Sequence, residues 1–564
     1  MMRVIVRHRP GKGSSVRDRA NAFGGRFVQQ HPGIGSITVE LPAVAIAKMA
    51  ADSDVLGVSS DAPIAASQLL SGLTSTPSDA ASTLTGTATS LLSSSYDTQA
   101  LRRTLGVQQG DLGQDVGVAI IDSGISPTAD LSGRIAAFYD FTRGGNRTTP
   151  SDAFGHGTHI AGLIAGNGNN SSGKYVGVAL GTRLIGMKVL DGYGRGYTSD
   201  VIQAIEFATA NKAALRIDVI NLSLGHPILE PAATDPLVRA VERAVAAGIV
   251  VVVSAGNNGR NPLTGEIGYA GITSPGNAPS ALTVGSLRTK ATAARGDDEV
   301  SPFSSRGPTW HDGFLKPDIL APGQALIGTQ GLTSLLYSDL LLRWDAGYVK
   351  LSGTSMATGV ASGVVALIIE ANRRDEGAAS VLTPNMVKAI VQYTAIPVAD
   401  PDPRTSAAFE QGPGGINAAG ALSLARAIDP GMPSGTNWLE TNVSPVTSIA
   451  GTNHAWAKHV VWRDHLVWGD TLKFKLTAWA AHIVWGDHIV WGDHLVWRDG
   501  FFSDANAVRE SFDTWSTHIV WGDYDLHIVW GDHDWHIVWG DLDDGHIVWG
   551  DSTIASQTSA ESSF

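Results

Sequence analysis

VGVAII, residues 116–121, is an unbroken run of apolar residues, and its reading decides the fold. A strand covered on one face alternates apolar and polar residues, whereas a run with no polar break belongs to a strand buried on both faces. The same signature recurs at Leu184–Leu190, Val219–Leu222, Ile249–Val253 and Leu282–Val284. Between these runs, Thr198–Asn211 carries Val201, Ile202, Ile205 and Ala208 at helical spacing. Pro236–Ala247 does likewise and stops at Gly248, a helix-end signal. Strand and helix in alternation predict an α/β domain over residues 100–428, a doubly wound, mostly parallel sheet with helices on both faces. Such sheets bind ligands beyond the carboxyl ends of their strands.

Outward from this domain the character of the chain changes on both sides. Residues 1–62 read as a small α+β unit, with strands at Arg3–Arg7, around Phe27, at Ser36–Leu41 and at Val55–Ser59, and helices at Val16–Phe23 and Ala43–Ala51. Residues 63–99 are rich in Ser, Thr and Ala and read as a cleavable linker. On the other side, a Pro/Gly/Ser stretch opens a second linker, 429–457. Residues 458–564 then form a β-rich or irregular tail built on a hexapeptide, H-[ILV]-V-W-[GR]-D. Its copies begin at His459, His465, His482, His488, His494, His518, His527, His536 and His546. In an extended HIVW unit, His and Val face one way, Ile and Trp the other, and the Gly-Asp pair suits a tight turn. Short hairpins or a solenoid would follow, with a structural role, a metal role or a surface ligand for the tryptophans all open.

Composition removes several function classes. A formal net charge of −13 argues against a nucleic-acid partner. The absence of cysteine excludes disulfides, thiolate metal sites and cysteine nucleophiles. No apolar run reads as long enough to cross a bilayer. The N-terminus, MMRVIVRHRPGKG, lacks the apolar core of a secretion signal. Export by another route, residence in the cytoplasm and a start further upstream stay open, with a secreted or surface location weighed first.

The chemistry-bearing residues sit at element ends. Asp122 closes the 116–121 run, in AIIDSGI. His156 opens a candidate helix, in FGHGTHIAGLIAG. Ser355, in LSGTSMA, stands at the start of the apolar run Val360–Ile369, where free N–H groups and the helix dipole favour an anion. Asn257, in VVVSAGNNG, follows another strand and can donate to an oxyanion beside the Ser355 N–H. An aspartate that fixes a histidine tautomer, a histidine that takes a serine proton, and a serine nucleophile make a hydrolytic set. Singly, each could be a turn former, a surface histidine or a cap; together they point to catalysis.

On these motifs the chain resembles the subtilisin-like (S8) serine peptidases. IDSGI, GHGTHIAG, SAGNNG and LSGTSMA carry the resemblance, supported by NLSLG, TSPGNAP, SPFSSRGP and LKPDILAPG. It covers about residues 100–428 and implies a triad of Asp122, His156 and Ser355, with Asn257 in the oxyanion hole. It implies an endopeptidase acting on polypeptides with no cofactor for catalysis. Substrate would lie as a strand between Gly194–Arg195–Gly196 and Ser223–Leu224–Gly225, whose glycines leave ladder groups free. The pocket for the residue before the cut would be lined by Leu224 and by Ser254, Ala255 and Gly256, and Tyr197 would border the pocket three residues further back. The sequence departs from many members at Thr358–Gly359. The loop 166–175, GNGNNSSGKY, does not cleanly match the family's calcium loop, so a structural calcium is a separate question. Residues 1–62, ending in VLGVSSD, resemble the family's propeptide-inhibitor, which implies a self-processed zymogen cut between 60 and 100. The rival reading is an adhesion protein whose repeat tail is the working part.

Overall fold

The structure, a computed structural model, describes residues 1–66, 100–261, 264–376, 382–398, 407–433, 436, 443–462 and 465–468. Residues 1–60 form a four-stranded antiparallel sheet in which Met2–His8 lies between Ser36–Leu41 and Val55–Ser60, with Arg26–His31 beyond Ser36–Leu41. Helices Gly13–Ala22 and Ala43–Ala50 pack on it. The alternation in MRVIVRH puts Val4 and Val6 into a core with Val16, Val39, Leu41 and Met49.

The main sheet carries seven parallel strands. In spatial order these are Ile319–Pro322, Leu282–Arg288, Val250–Ser254, Val219–Leu222, Gly117–Asp122, Arg183–Lys188 and Ile135–Asp140. Antiparallel Glu299–Val300 and Asn146–Arg147 border it. Gly117–Asp122, the stretch read as buried on both faces, is buried at every position and lies near the centre. Strand order reverses around it, so the crevice that forms where neighbouring loops part opens beside Asp122.

Two groups of helices flank the sheet. Thr354–Glu376 packs on His156–Ala165 and Ala418–Ala427, while Thr198–Ala210 packs on Pro236–Ala246. Asp235 caps the last of these, its Oδ1 accepting the Leu237 and Val238 N–H groups at 2.8 and 3.3 Å. Contrary to the sequence reading, one helix, Thr354–Asp375, is long and apolar enough to span a bilayer. That window is wholly buried, and its apolarity serves the core.

The two linkers begin and end differently from expectation. Pro63–Ala66, within the stretch expected as linker, is a strand held by the α/β body, and 67–99 lie outside the described residues. Within 429–457, Val446–Ile449 and Thr452–Ala455 make a hairpin. Ile449 is buried, and Trp456 packs edge-on to Tyr393 while its Nε1 donates to Thr447 Oγ1 at 2.7 Å. Strands of four residues are too short to announce themselves by alternation.

The first two hexapeptides pair as an antiparallel hairpin. His459–Trp462 runs antiparallel to His465–Trp468, with Trp462 opposite His465. Val461 is fully buried with Leu315 and Phe409, and its N–H donates to Gln392 Oε1 at 3.0 Å. The later copies lie outside the described residues.

Candidate active site

Asp122 ends its strand fully buried, and His156 begins the helix His156–Ala165 at 4% exposure. The imidazole Nδ1 lies 2.8 Å from Asp122 Oδ1 and 3.0 Å from Oδ2. Asp122 Oδ1 also accepts the Ser123 N–H at 2.7 Å. Two glycines allow this approach. Gly155 caps the helix at φ +106°, where a Cβ would stand 2.6 Å from Gln330 Oε1. At Gly157 a Cβ would meet the Gly124 carbonyl at 2.1 Å, so any side chain would push the helix off Asp122. Asp152, which the sequence reading passed over, fastens the same turn: it accepts from the Gly155 N–H at 2.8 Å, the Thr158 N–H at 2.9 Å and the Thr158 hydroxyl at 2.7 Å.

The surroundings set the charge preference of His156. Burial by itself disfavours the imidazolium, but the Asp122 charge and hydrogen bond, helped by Asp152, outweigh it and raise the pKa above 6.5. His159, one turn on, is pushed down to about 3 by burial and by His156, and its Nε2 lies 3.2 Å from the Leu326 carbonyl.

Ser355 is the second residue of helix Thr354–Glu376 and is fully buried. Its hydroxyl donates to the Ser223 carbonyl at 3.0 Å. His156 Nε2 is buried with no hydrogen-bond partner among the described residues. The structure therefore joins Asp122 to His156 directly and Ser355 to Ser223, with the bond between Ser355 and His156 unmade. Asn257 Oδ1 accepts the Thr354 N–H at 2.9 Å and the Thr354 hydroxyl at 3.1 Å. These contacts fix which end of the amide is the donor. Thr354 lies in the quoted LSGTSMA, yet nothing in the sequence signals this task.

A second sheet crosses the cleft. Pro63–Ala66 runs antiparallel between Arg195–Tyr197 and Leu224–Pro227, with Ala65 opposite both Arg195 and Gly225, Ile64 opposite Gly196 and Ala66 opposite Leu224. The Ala66 N–H donates to the Gly194 carbonyl at 3.0 Å. The anticipated peptide-binding segments thus hold a peptide strand of this same chain. The glycines serve a purpose beyond the one inferred from sequence. A Cβ at Gly196 would meet the Val189 carbonyl at 2.4 Å, and one at Gly225 the Ser274 carbonyl at 2.6 Å, so both let the cleft walls sit against the backbone behind them.

Beside this strand lies a cavity of about 580 Å³. Leu224, Ser254 and Gly256 line it together with Asn258, Tyr269, Ile272 and Thr273, and Trp310 reaches it from further along the chain. Ala255 is fully buried and is not among the lining residues. Tyr197 is opposite Pro63 and stacks under the Arg3 guanidinium, 4.0 Å from its ring centroid.

Residues 1–62 are tied to helix Thr198–Ala210. Asp61 accepts from the Ser199 N–H and hydroxyl, both at 2.8 Å, and pairs with Arg3 at 2.9 Å, so a carboxylate sits at the helix's positive end. Glu206 accepts the Ile34 N–H at 3.0 Å, and burial raises its pKa to about 7.

The loop 166–175 does not fit a calcium ion. Asp130 is the carboxylate beside it, and both its oxygens are engaged, Oδ1 by the Asn170 N–H at 2.7 Å and Oδ2 by the Tyr348 hydroxyl at 2.5 Å. Calcium wants six to eight oxygens. No group of three or more His, Asp or Glu side chains suited to a metal occurs among the described residues.

Comparison with known proteins agrees with this geometry. The subtilase family pattern (Peptidase_S8) matches residues 113–419. The chain is 41% identical over 314 residues to serine protease AprX of Bacillus subtilis (strain 168), covering 54% of this chain and 66% of that protein. It is 34% identical over 285 residues to a subtilisin of Bacillus sp. (strain TA39), covering 49% and 61%. In structure it resembles fervidolysin from Fervidobacterium pennivorans, a keratinolytic enzyme related to subtilisin, with a TM-score of 0.55 at 20% identity over 82% of this chain and 68% of that one. The chain thus spans less than two thirds of the length of these two curated relatives.

Proposed function

The chain belongs to the subtilase family, and from that premise we propose that it is a serine endopeptidase of the EC 3.4.21 type, made as a self-processing zymogen. The observation that carries the reading is the strand Pro63–Ala66, seated where a substrate strand would lie.

The mechanism needs one rotation. Ser355 Oγ turns from the Ser223 carbonyl to His156 Nε2, which is buried and holds no bond among the described residues. His156 takes the hydroxyl proton as Oγ attacks the scissile carbonyl carbon. Asp122 holds the Nδ1–H tautomer and offsets the imidazolium charge. The oxyanion is met by the Asn257 amide, oriented through Thr354, and by the Ser355 N–H at the helix start. His156 then protonates the leaving amine, the acyl-enzyme forms, and water reverses the steps to release the acid. No cofactor enters.

The register supports a specific processing site. Ala66 lies opposite Leu224, and Ser223, the residue before Leu224, holds the Ser355 hydroxyl. Ala66 is the last described residue of this strand, and the proposed cleavage falls just beyond it, between Ser67 and Gln68. Residues 1–67 would remain as a transient inhibitor, held by Asp61 and Glu206. A long-range parallel sheet folds slowly, which gives such a unit a folding role as well. N-terminal sequencing of the mature protein tests this: a start at Gln68 is expected. A mature chain that begins upstream of Pro63 would overturn the docking interpretation.

A further inference from the structure

We propose that the cavity between the N-terminal unit and helix Pro236–Ala246 is a binding site for a phosphate-class oxyanion, and that the bound anion holds the N-terminal unit in place. The cavity measures about 720 Å³. Arg7, His8 and Arg17 line it from the N-terminal unit and Arg239 from the helix, and no Asp or Glu is among its lining residues. Such a basic concentration runs against the chain's overall charge of −13.

Two of these guanidinium groups, those of Arg239 and Arg7, are under-satisfied. The Arg239 side chain makes neither a hydrogen bond nor an ion pair among the described residues, and its Nε is buried. Arg7 Nε is likewise buried without an acceptor, and its Nη2 reaches only the Leu56 carbonyl at 3.3 Å. Burying a donor without a partner is unfavourable, and two like charges across an interface add repulsion. Both penalties fall on Arg239, whose pKa is lowered by burial, by Arg7 and by Arg243. A dianion between the two arginines would remove both.

Backbone geometry points the same way. Helix Gly13–Ala22 starts on this cavity, with Gly13 and Ser14 in its lining and no side-chain cap at Lys12. Its first N–H groups and dipole favour a negative charge. The planar guanidinium fork matches the edge of a tetrahedral oxyanion. Because Arg7 belongs to the N-terminal unit and Arg239 to the body, an anion that touches both binds the docked state better than the parted one.

The regulatory half of this inference rests on the zymogen reading; the binding half does not. Inorganic phosphate is titrated into full-length Ser355→Ala, with binding followed by calorimetry and phosphorus NMR at fixed ionic strength. One saturable site per chain is expected, lost in Ser355→Ala carrying Arg239→Gln or Arg7→Gln, with near-ultraviolet circular dichroism showing that both stay folded. No saturable binding, or binding that ignores both arginines, overturns the site. In the otherwise wild-type chain, phosphate at ten times its Kd should lengthen the lag before activity by about tenfold, as mass action on the docked state requires. Arg239→Gln should abolish that dependence without shortening the lag in phosphate-free buffer. A lag that phosphate leaves unchanged, in a protein that binds it, overturns the regulatory half alone.

Discussion

Two four-residue strands dock on the same body from its two ends, and they are held in opposite ways. Pro63–Ala66 is gripped by backbone, with ladders to Arg195–Tyr197 on one side and Leu224–Pro227 on the other. Apart from Ile64, its side chains are small. His459–Trp462 is gripped by side chains: Val461 is sunk beside Leu315 and Phe409, and Gln392 supplies the acceptor for its N–H. A backbone ladder tolerates nearly any sequence, which suits a cleft that must receive many peptides and release them. An apolar socket demands a particular side chain, which suits a fixture. On the proposed peptidase reading, one end of the chain is therefore a guest of the cleft and the other a part of the body.

The widest separation between guest and fixture comes from removing the nucleophile. Ser355→Ala should lower peptidase activity by about 10⁶-fold, the scale of losing a triad serine. The same change should leave residues 1–67 covalently attached, seen by intact mass, with the His459–Trp468 hairpin unaffected. Activity that survives in pure Ser355→Ala would mean the cleft is served by another residue.

Next in size is Asp122→Asn, with a loss of about 10⁴-fold in kcat. Its pH profile carries the sharper information. Catalysis needs neutral His156, and Asp122 holds the imidazole pKa above 6.5 despite burial. The wild-type rate should fall as pH drops through a value above 6.5, and in Asp122→Asn that limb should move to lower pH. An unmoved limb would assign the titration to another group.

The fixture is tested by Val461→Ala, which removes two buried methyl groups and should cost about 2 kcal/mol of stability. Thermal unfolding would report it, while kcat/KM on a short peptide stays at the wild-type value. An equal loss of stability on replacing Ile64 in the mature enzyme would erase the distinction, because Ile64 is then expected to have left.

The same contrast explains what could be read from sequence. Val219–Leu222 matches its sequence reading to the residue, because Val219, Ile220 and Leu222 carry the apolar signal around the buried, hydrogen-bonded Asn221. Asp122, His156 and Ser355 stand out because each closes or opens an element, and Asn257 because it follows one. Pro63–Ala66 did not, since a strand chosen by its neighbours' backbone needs no pattern of its own, and PIAA read as linker. Thr354 and Asp152 act through their neighbours and leave no periodic trace. The hexapeptide left hairpin and solenoid both open, and the docking of its first copy depends on Gln392, Leu315 and Phe409, which lie far away in the chain.

The smallest expected effect concerns how tightly the guest is held. Glu206 accepts the Ile34 N–H from the N-terminal unit, and a Cβ at Gly33 would stand 2.4 Å from its Oε1, so the two surfaces touch closely. Burial in the docked state raises its pKa from 4.5 to about 7. A group whose pKa rises on docking binds its proton more tightly in that state, so its contribution is full below 4.5 and is lost as pH climbs through about 7. Release of residues 1–67 after cleavage should therefore quicken between pH 5 and pH 8. Glu206→Gln, which keeps an acceptor oxygen but cannot titrate, should flatten that dependence while leaving release at low pH nearly unchanged. Release kinetics followed by size-exclusion chromatography would decide it, and a profile that rises as steeply in Glu206→Gln would move the pH sensitivity to Asp61 or Asp200, whose carboxyls burial also raises.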